Sequence, residues 1–498
     1  MSRGIDPDFE AFGYRELGDA ALQAAADRGA TYADLRFERQ RTQHIHAHDR
    51  DLQGLTDSEQ VGYCVRVIAD GAWGFAYGVD PKPALAADAA ERAVELARAL
   101  APLNSEPVEL ADEPVYQDTW ISSYAIDPFS VSDGDKVEFL LNGNGKLLAG
   151  GVDHADVAAA FVLENKYFAS LAGSRITQQR VRQQVQFHAT KVDPESGSFE
   201  TMRTVSLPVG NGWEYIAEGY DFDAELERLP EQLDEKLHAS SIEPGRYDLV
   251  IDPTNLWLTI HESIGHSTEL DRVLGYEANY AGTSFATLDK LGSLAIGSSA
   301  MNVTGDRVAE HGLATIGYDD EGVAAQTWPI ISEGVLVGYQ LNRQMAAKQG
   351  FGRSNGCAFS DGPDHVPLQR MPNVSLKPAA NGTTLQDLIG SVEDGLYVVG
   401  DKSWSIDMQR YNFQFTGQRF YRIRNGTLAG QVKDVAYQAT TTEFWNALES
   451  VGGAGTYLLA GALNCGKGQP GQIAPVSHGC PPGLFRQINI LNTASEGS

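Results

Sequence analysis

The chain has 498 residues, 42% of them hydrophobic, with 19 Phe, 19 Tyr and 7 Trp, enough for two large domains or up to four smaller ones. Its formal net charge of -28, spread without an acidic tail, argues against nucleic acid as a partner and for a solvated surface. Four cysteines are too few for a disulfide scaffold, Met1–Asp8 hold no apolar signal-peptide core, and no run reaches the roughly 18 apolar residues of a membrane span, so a soluble cytoplasmic protein is expected.

Residues 12–30 read as a helix, with Tyr14, Leu17, Ala21 and Ala25 on one stripe and Gly29 as a stop. Leu35–Arg39 alternates as a strand. Val61–Ile68 and Ala72–Tyr77 form a hairpin about Asp70-Gly71. Pro83–Leu100 reads as a second helix, with Leu85, Ala89, Leu96 and Leu100 on its apolar face. Between the first strands, His44, His46 and His48 alternate, so three imidazoles share one face and could converge on a metal. Such a run is more often solvated, and Asp49 is expected on the opposite face.

Lys136–Gly150 looks helical. Asp156–Phe168, Thr177–Val192 and Glu200–Leu207 alternate as strands of a long antiparallel sheet, with Arg175, Arg180 and Arg182 expected to be solvated. Asp221–Ala239 is an amphipathic helix in which Pro230 should make a break or kink. Ser240–Gly245 then marks a boundary. The fold class expected is α+β: residues 1–240 form an N-terminal α+β domain with an antiparallel sheet and flanking helices, and 241–498 a C-terminal β-rich domain.

That second half opens with a strand, Tyr247–Pro253, and runs into Leu256–Asp271, which holds His261, Glu262 and His266 in an apolar setting. The pattern is H-E-x-x-x-H. In H-E-x-x-H the two histidines lie four apart on one helical face and both reach a single zinc ion. Five apart, they lie about 140° apart on a regular helix. Both can serve one ion only where the helix widens into a π turn or unwinds, and Gly265 would ease either distortion. Satisfied polar groups in a partly buried helix are the plainer alternative. Glu269 and Asp271 are candidate acceptors for the histidine N–H groups, or else a solvated helix end.

Residues 275–303, rich in Gly, Ser and Ala, read as a loop or lid near this site. A hairpin follows at Thr327–Ile331 and Val335–Tyr339 about Glu333-Gly334. Leu396–Gly400, Phe413–Thr416 and Phe420–Ile423 read as further antiparallel strands, with Asn425-Gly426 a turn. Thr440–Ser450 is a short helix, and a Gly-rich loop holding Cys465 and Cys480 closes the chain. Cys64 reads as packing in an apolar strand, and Cys357 as a loop thiol, either buried or incidental.

At these residues the chain resembles the TldD/PmbA family of metallopeptidases, specifically its motif-bearing TldD-like members. The resemblance lies in a series in order: His261–His266 for the HExxxH element, Asp319–Val323 for a DDEG segment, Glu333–Tyr339 for the hairpin after it, Arg370–Asn373 for an R-M-x-N stretch, and Cys465–Gly468 for the late cysteine segment. It is strong from Tyr247 to Gly468 and looser before. The resemblance implies a zinc-dependent peptidase with His261, His266 and Cys465 as metal ligands and Glu262 as catalytic base. It implies peptide substrates, extended or unfolded, entering an enclosed site. It also implies a dimer, either with itself or with a PmbA/TldE-like paralogue. Cys480 beside His478 is a competing ligand pair. Two other readings stand beside this one: a modulatory subunit with little activity alone, and a metal-dependent hydrolase of a non-peptide substrate.

Overall fold

A computed structural model describes residues 4–494; of the Met1–Asp8 segment read as lacking an apolar leader, Met1–Arg3 lie outside it. The elements of the first half are α1 (Pro7–Glu10), α2 (Tyr14–Asp27), β1 (Tyr32–His48), β2 (Asp51–Ala69), β3 (Ala72–Gly78), α3 (Pro83–Leu100), β4 (Gln117–Ile121), α4 (Asp133–Ala149), β5 (His154–Ser170), β6 (Arg175–Val192), β7 (Phe199–Arg203) and α5 (Phe222–His238). The strands form one sheet in the order β3-β2-β1-β5-β6, with β4 parallel to β6 and β7 antiparallel to it. The β2–β3 hairpin turns at Asp70-Gly71, both at positive φ (51° and 76°), the geometry that suits the strands' twist. Helices α2 and α3 cover one stretch of the sheet, burying Tyr14, Leu17, Ala21 and Ala25 as the stripe requires. A second apolar cluster joins α4 and α5 to β5 and β6.

Three expectations for this half are corrected. The buried face of α3 is Ala86, Ala89, Ala90, Ala93, Val94 and Ala97, whereas Leu85, Leu96 and Leu100 are about 40% exposed. A Cβ on Gly74 of β3 would lie 1.8 Å from the Ala93 carbonyl oxygen, so the helix sits too close to the sheet for leucine. Arg180 and Arg182 are buried, not solvated: both donate to Glu164 of β5, while partly buried Arg175 pairs with Asp19. And of the break or kink expected at Pro230 the break is absent, since α5 runs from Phe222 to His238.

Two short strands, β8 (Ser240–Ser241) and β9 (Gly245–Ile251), lead into the second half. There β9 pairs in parallel with the strand Asp394–Ile406, which pairs with Asn412–Arg424, then Val435–Thr440, then Gly483–Asn492, which returns to β9. These five strands close a small barrel. Asn412–Arg424 is one strand where two were expected, and the chain end is not a loop: Leu458–Gly468 and Gly471–Cys480 form a long hairpin before the last barrel strand. Their glycines hide the alternation that would have marked them as strands. Residues 275–303 are irregular but anchored, for Glu277, Ala286, Ile296 and Met301 are buried. Among the described residues no helix is long and apolar enough to cross a membrane.

The two halves meet through buried charge. Lys166 of β5 binds Asp320 at 3.0 Å, and Arg66 of β2 binds Glu321 at 3.3 Å. Asp319 takes the backbone N–H groups of Glu321, Val323 and Ala358. The DDEG segment is therefore a clasp on the first sheet.

Candidate metal centre

Helix α6 (Pro253–Ile260) follows β9 directly, capped by Asp252, which accepts from the Thr254 N–H, with Pro253 in the first turn. All eight of its residues are buried. Asn255 pins it to the barrel by donating to the carbonyls of Gly400 and Thr416, both at 3.0 Å, while accepting from Tyr437. At His261 the helix changes. Residues His261–Gly265 form a π turn, and the His266 N–H donates to the His261 carbonyl, the five-residue bond that the histidine spacing demands. His266–Thr268 then tighten into a 3₁₀ turn.

The widening strands carbonyls that side chains recover. Ser263 donates to the Thr259 carbonyl, Thr268 to that of Ile264, and Gln340 to that of Gly265. Gly265 itself has helical φ and ψ (-54° and -61°), so its role is not backbone freedom. A Cβ there would sit 2.6 Å from Met371 Sδ; glycine makes room for the R-M-x-N stretch to pack against the turn.

The π turn brings His261 and His266 together, with ring centroids 4.6 Å apart. A shift of register in the late hairpin between Ala462 and Cys465 turns Cys465 inward, and its Sγ lies 3.7 Å from His266 Nε2. One ligand atom from each of His261, His266 and Cys465 falls within 4.8 Å of the others. Around a tetrahedral zinc, with bonds of about 2.3 Å to sulfur and 2.0–2.1 Å to nitrogen, those two donors stand about 3.6 Å apart. The donor set fits.

Hydrogen bonding fixes which nitrogen each imidazole offers. His478 Nδ1 lies 2.9 Å from the Val374 carbonyl, which can only accept, so the lone pair of His478 is on Nε2. His261 Nδ1, 2.7 Å from that Nε2, must donate to it, leaving His261 Nε2 free to ligate. His266 Nδ1 donates to Glu269 at 2.8 Å, which frees its Nε2 likewise. Burial, with the neighbouring histidines and Arg410, holds the His261 pKa well below the usual range, and burial with Arg410 and Arg272 does the same for His266; both rings are neutral, as a ligand must be. Burial pushes the Cys465 thiol up to about 12, opposed by Arg370, whose guanidinium lies 3.2 Å from Sγ. A bound cation would draw off that proton.

Glu262 is 5% exposed, its carboxyl raised by burial and opposed by Arg410, with which it is ion-paired. Trp404 also hydrogen-bonds it and is 53% exposed, so the centre meets solvent on the side of the barrel strand Asp394–Ile406. Beneath His266, Glu269 stands in a buried network with Arg272 and Lys467, and Lys467 also binds Asp271 at 2.8 Å and Glu277 at 3.2 Å.

Of the expected site residues, His261, Glu262, His266 and Cys465 come together. Glu269 is the acceptor for His266, whereas Asp271 is occupied by Lys467 and touches neither histidine. His478 orients His261 instead of competing as a ligand, and Cys480 lies apart, its Sγ 3.8 Å from the Pro253 carbonyl. Arg410, Arg370, Lys467 and Glu277 were not found from the sequence; only the R-M-x-N stretch and Cys465-Gly466-Lys467 flagged two of their neighbourhoods. Cys64 and Cys357 are buried, their thiols raised by burial to about 11 and about 12.

An α+β chain with a small barrel, whose buried helix α6 opens into a π turn presenting two neutral imidazoles beside a buried thiol and a glutamate, has the makings of a metallohydrolase. Residues 244–492 match the PmbA/TldA metallopeptidase C-terminal domain and residues 33–101 the PmbA/TldA metallopeptidase domain 1, and the chain belongs to the PmbA/TldD metallopeptidase family. It is 28% identical over 93% of its length to a metalloprotease of Methanothermobacter thermautotrophicus, covering 96% of that protein. It is 25% identical over 55% of its length to a zinc metalloprotease TldD homologue of Saccharolobus solfataricus, covering 58% of that protein. The fold is shared with TldE of Thermococcus kodakarensis, at a TM-score of 0.70 and 15% identity, over 95% of this chain and 99% of that one.

Proposed function

We propose that this chain is a zinc-dependent peptidase that hydrolyses extended or unfolded peptides in an enclosed site. His261, His266 and Cys465 would hold the ion, and Glu262 would be the general base. The observation that carries the reading is that hydrogen bonds at both Nδ1 atoms leave both Nε2 lone pairs free, with His266 Nε2 3.7 Å from the Cys465 sulfur and one ligand atom of each of the three residues within 4.8 Å of the others. Bound there, zinc supplies Lewis acidity for a scissile carbonyl and for an attacking water, in a site with three protein ligands and one open position.

The protein's own groups do the rest. Glu262 is adjacent in sequence to one ligand and raised by burial, so it suits accepting a proton from water and returning it to the leaving amine. Its ion pair with Arg410 must loosen for that, and Arg410 sits at φ 63° on the exposed loop that also carries Met408. Trp404, 53% exposed and beside Glu262, suits an extended chain with apolar side chains. A folded substrate could not bring its backbone to a base that is 5% exposed.

The chain divides, on this reading, near residue 240 into the α+β part and the metal-bearing part. It works as a dimer with itself or with a TldE-like partner of the same fold, in the cytoplasm, where its four free cysteines stay reduced. The test is metal content and peptide turnover together. Wild type should carry about one zinc at this centre, lost in His261→Ala and Cys465→Ala. Glu262→Gln should keep the metal and lose 10²–10⁴-fold in turnover, the usual worth of a general base. Full turnover in Glu262→Gln, or tightly held zinc that survives purification in Cys465→Ala, would refute the assignment.

A further inference from the structure

The alternating histidines of β1 take no part in the site just described, and among the described residues His44, His46 and His48 do not form one ligand group, although His46 and His48 both reach Asp156 Oδ1, at 3.6 and 2.9 Å. The structure gathers a different set at the β1–β2 turn. Asp49, expected to point away, is at φ 50° and folds back over the start of β5. Its backbone N–H donates to the Ala155 carbonyl, and its Oδ1 accepts from the Ala155 N–H at 2.9 Å. This double clasp fixes the carboxylate and leaves Oδ2 facing two imidazoles. His48 Nε2 lies 3.4 Å from Oδ2, and His154 Nδ1 lies 3.3 Å from it. One ligand atom from each of the three residues falls within 4.8 Å of the other two.

His48 Nδ1 is 2.9 Å from Asp156 Oδ1, to which it donates. A neutral His48 then aims the lone pair of Nε2 at an anionic oxygen, an arrangement of two acceptors that calls for a cation between them. Ligands bonded at about 2.0–2.1 Å to a tetrahedral ion stand about 3.4 Å apart, the separation found here on two of the three edges. The Asp156–His48 bond is also the carboxylate–imidazole support that metal-bound histidines have.

We propose that His48, Asp49 and His154 form a second site for a divalent transition-metal ion, with Zn²⁺ as the ion of choice and water in the fourth position. Its ligands are a third to a half exposed, so it exchanges with solvent and binds more weakly than the buried centre. It ties the β1–β2 turn to the first residues of β5.

The experiment is Zn²⁺ titration of the metal-free full chain in a Cys465→Ala background, followed by calorimetry and by the rise in melting temperature. One equivalent should bind per chain. His154→Ala and Asp49→Asn, added separately, should each weaken it at least tenfold and abolish the thermal shift, while His44→Ala, on the same strand, should change neither. The ligand side chains are partly exposed, and circular dichroism in the absence of metal should show the variants folded. Failure of the Cys465→Ala protein to bind Zn²⁺, or binding undiminished by His154→Ala and Asp49→Asn, would overturn the proposal. Then His48 is simply protonated between Asp49 and Asp156. The comparison with His154→Ala and Asp49→Asn separates this site from the buried centre, which is the same in every variant.

Discussion

Replacing His478 by Phe tests the orientation of His261 directly. The imidazole is fully buried, stacked 6.1 Å from Trp257, and it donates to Val374 and accepts from His261. Phe fills the space and keeps the stacking but accepts nothing. The His261 Nδ1–H then has no partner in an apolar surround, which costs about 1–3 kcal/mol of stability. It also frees the ring to swing or change tautomer. Removing such a support typically lowers metal affinity 10–100-fold, or about 1.4–2.7 kcal/mol of binding. His478→Gln is the control, since an amide can donate to Val374 and accept from His261 at once. Chelator competition for Zn²⁺ should place His478→Phe 10–100-fold below wild type and His478→Gln within a few-fold of it. Equal affinity in the Phe variant, or an equal loss in the Gln variant, would refute the tautomer argument.

Other outcomes follow from the packing. Lys236 is buried beside Glu200, its pKa lowered to about 8 by burial, with Lys402 adding to the effect. Between pH 8 and about 10.5 the unfolded chain therefore holds more protons at this position than the folded one, so the residue's contribution makes stability rise with pH across that window. Denaturant unfolding from pH 7.5 to 10.5 should show that Lys236→Met removes this slope, a difference on the order of 2–3 kcal/mol; parallel curves for the two proteins would contradict it. Glu164→Leu strands Arg180 and Arg182, both buried, and should cost about 3–5 kcal/mol in the same assay; a cost under about 1 kcal/mol would show the cluster finds other partners. Gly74→Ala sets a methyl against the Ala93 carbonyl and should lower stability by about 1–3 kcal/mol through strain between β3 and α3, measurable as a fall in melting temperature, whereas an unchanged melting temperature would mean the helix can back away.

The local geometry of the candidate metal centre was legible in the sequence. Two histidines five apart with a glutamate between them require a π turn to share an ion, and the turn is there, closed by the bond from His266 to His261. The hairpin turns at Asp70-Gly71 and Asn425-Gly426 were legible for the same kind of reason: positive φ at both residues is a local demand that a dipeptide meets. Contacts between distant segments were not legible. His478, 217 residues from His261, decides the tautomer only because the late hairpin packs against α6. Nothing in a Cys-His neighbourhood tells a ligand from its support. The face that α3 buries was set by Gly74 on another strand, since an Ala- and Leu-rich helix has two apolar faces and the closeness of the sheet selects between them. Arg180 and Arg182 read as surface charge until Glu164 lies across from them on β5, and Asp49 joins His154 only through the pairing of β1 with β5. Period and turn chemistry are properties of neighbouring residues. Which buried charge or lone pair finds a partner depends on the register of strands far apart in the chain, and that is settled only when they pair.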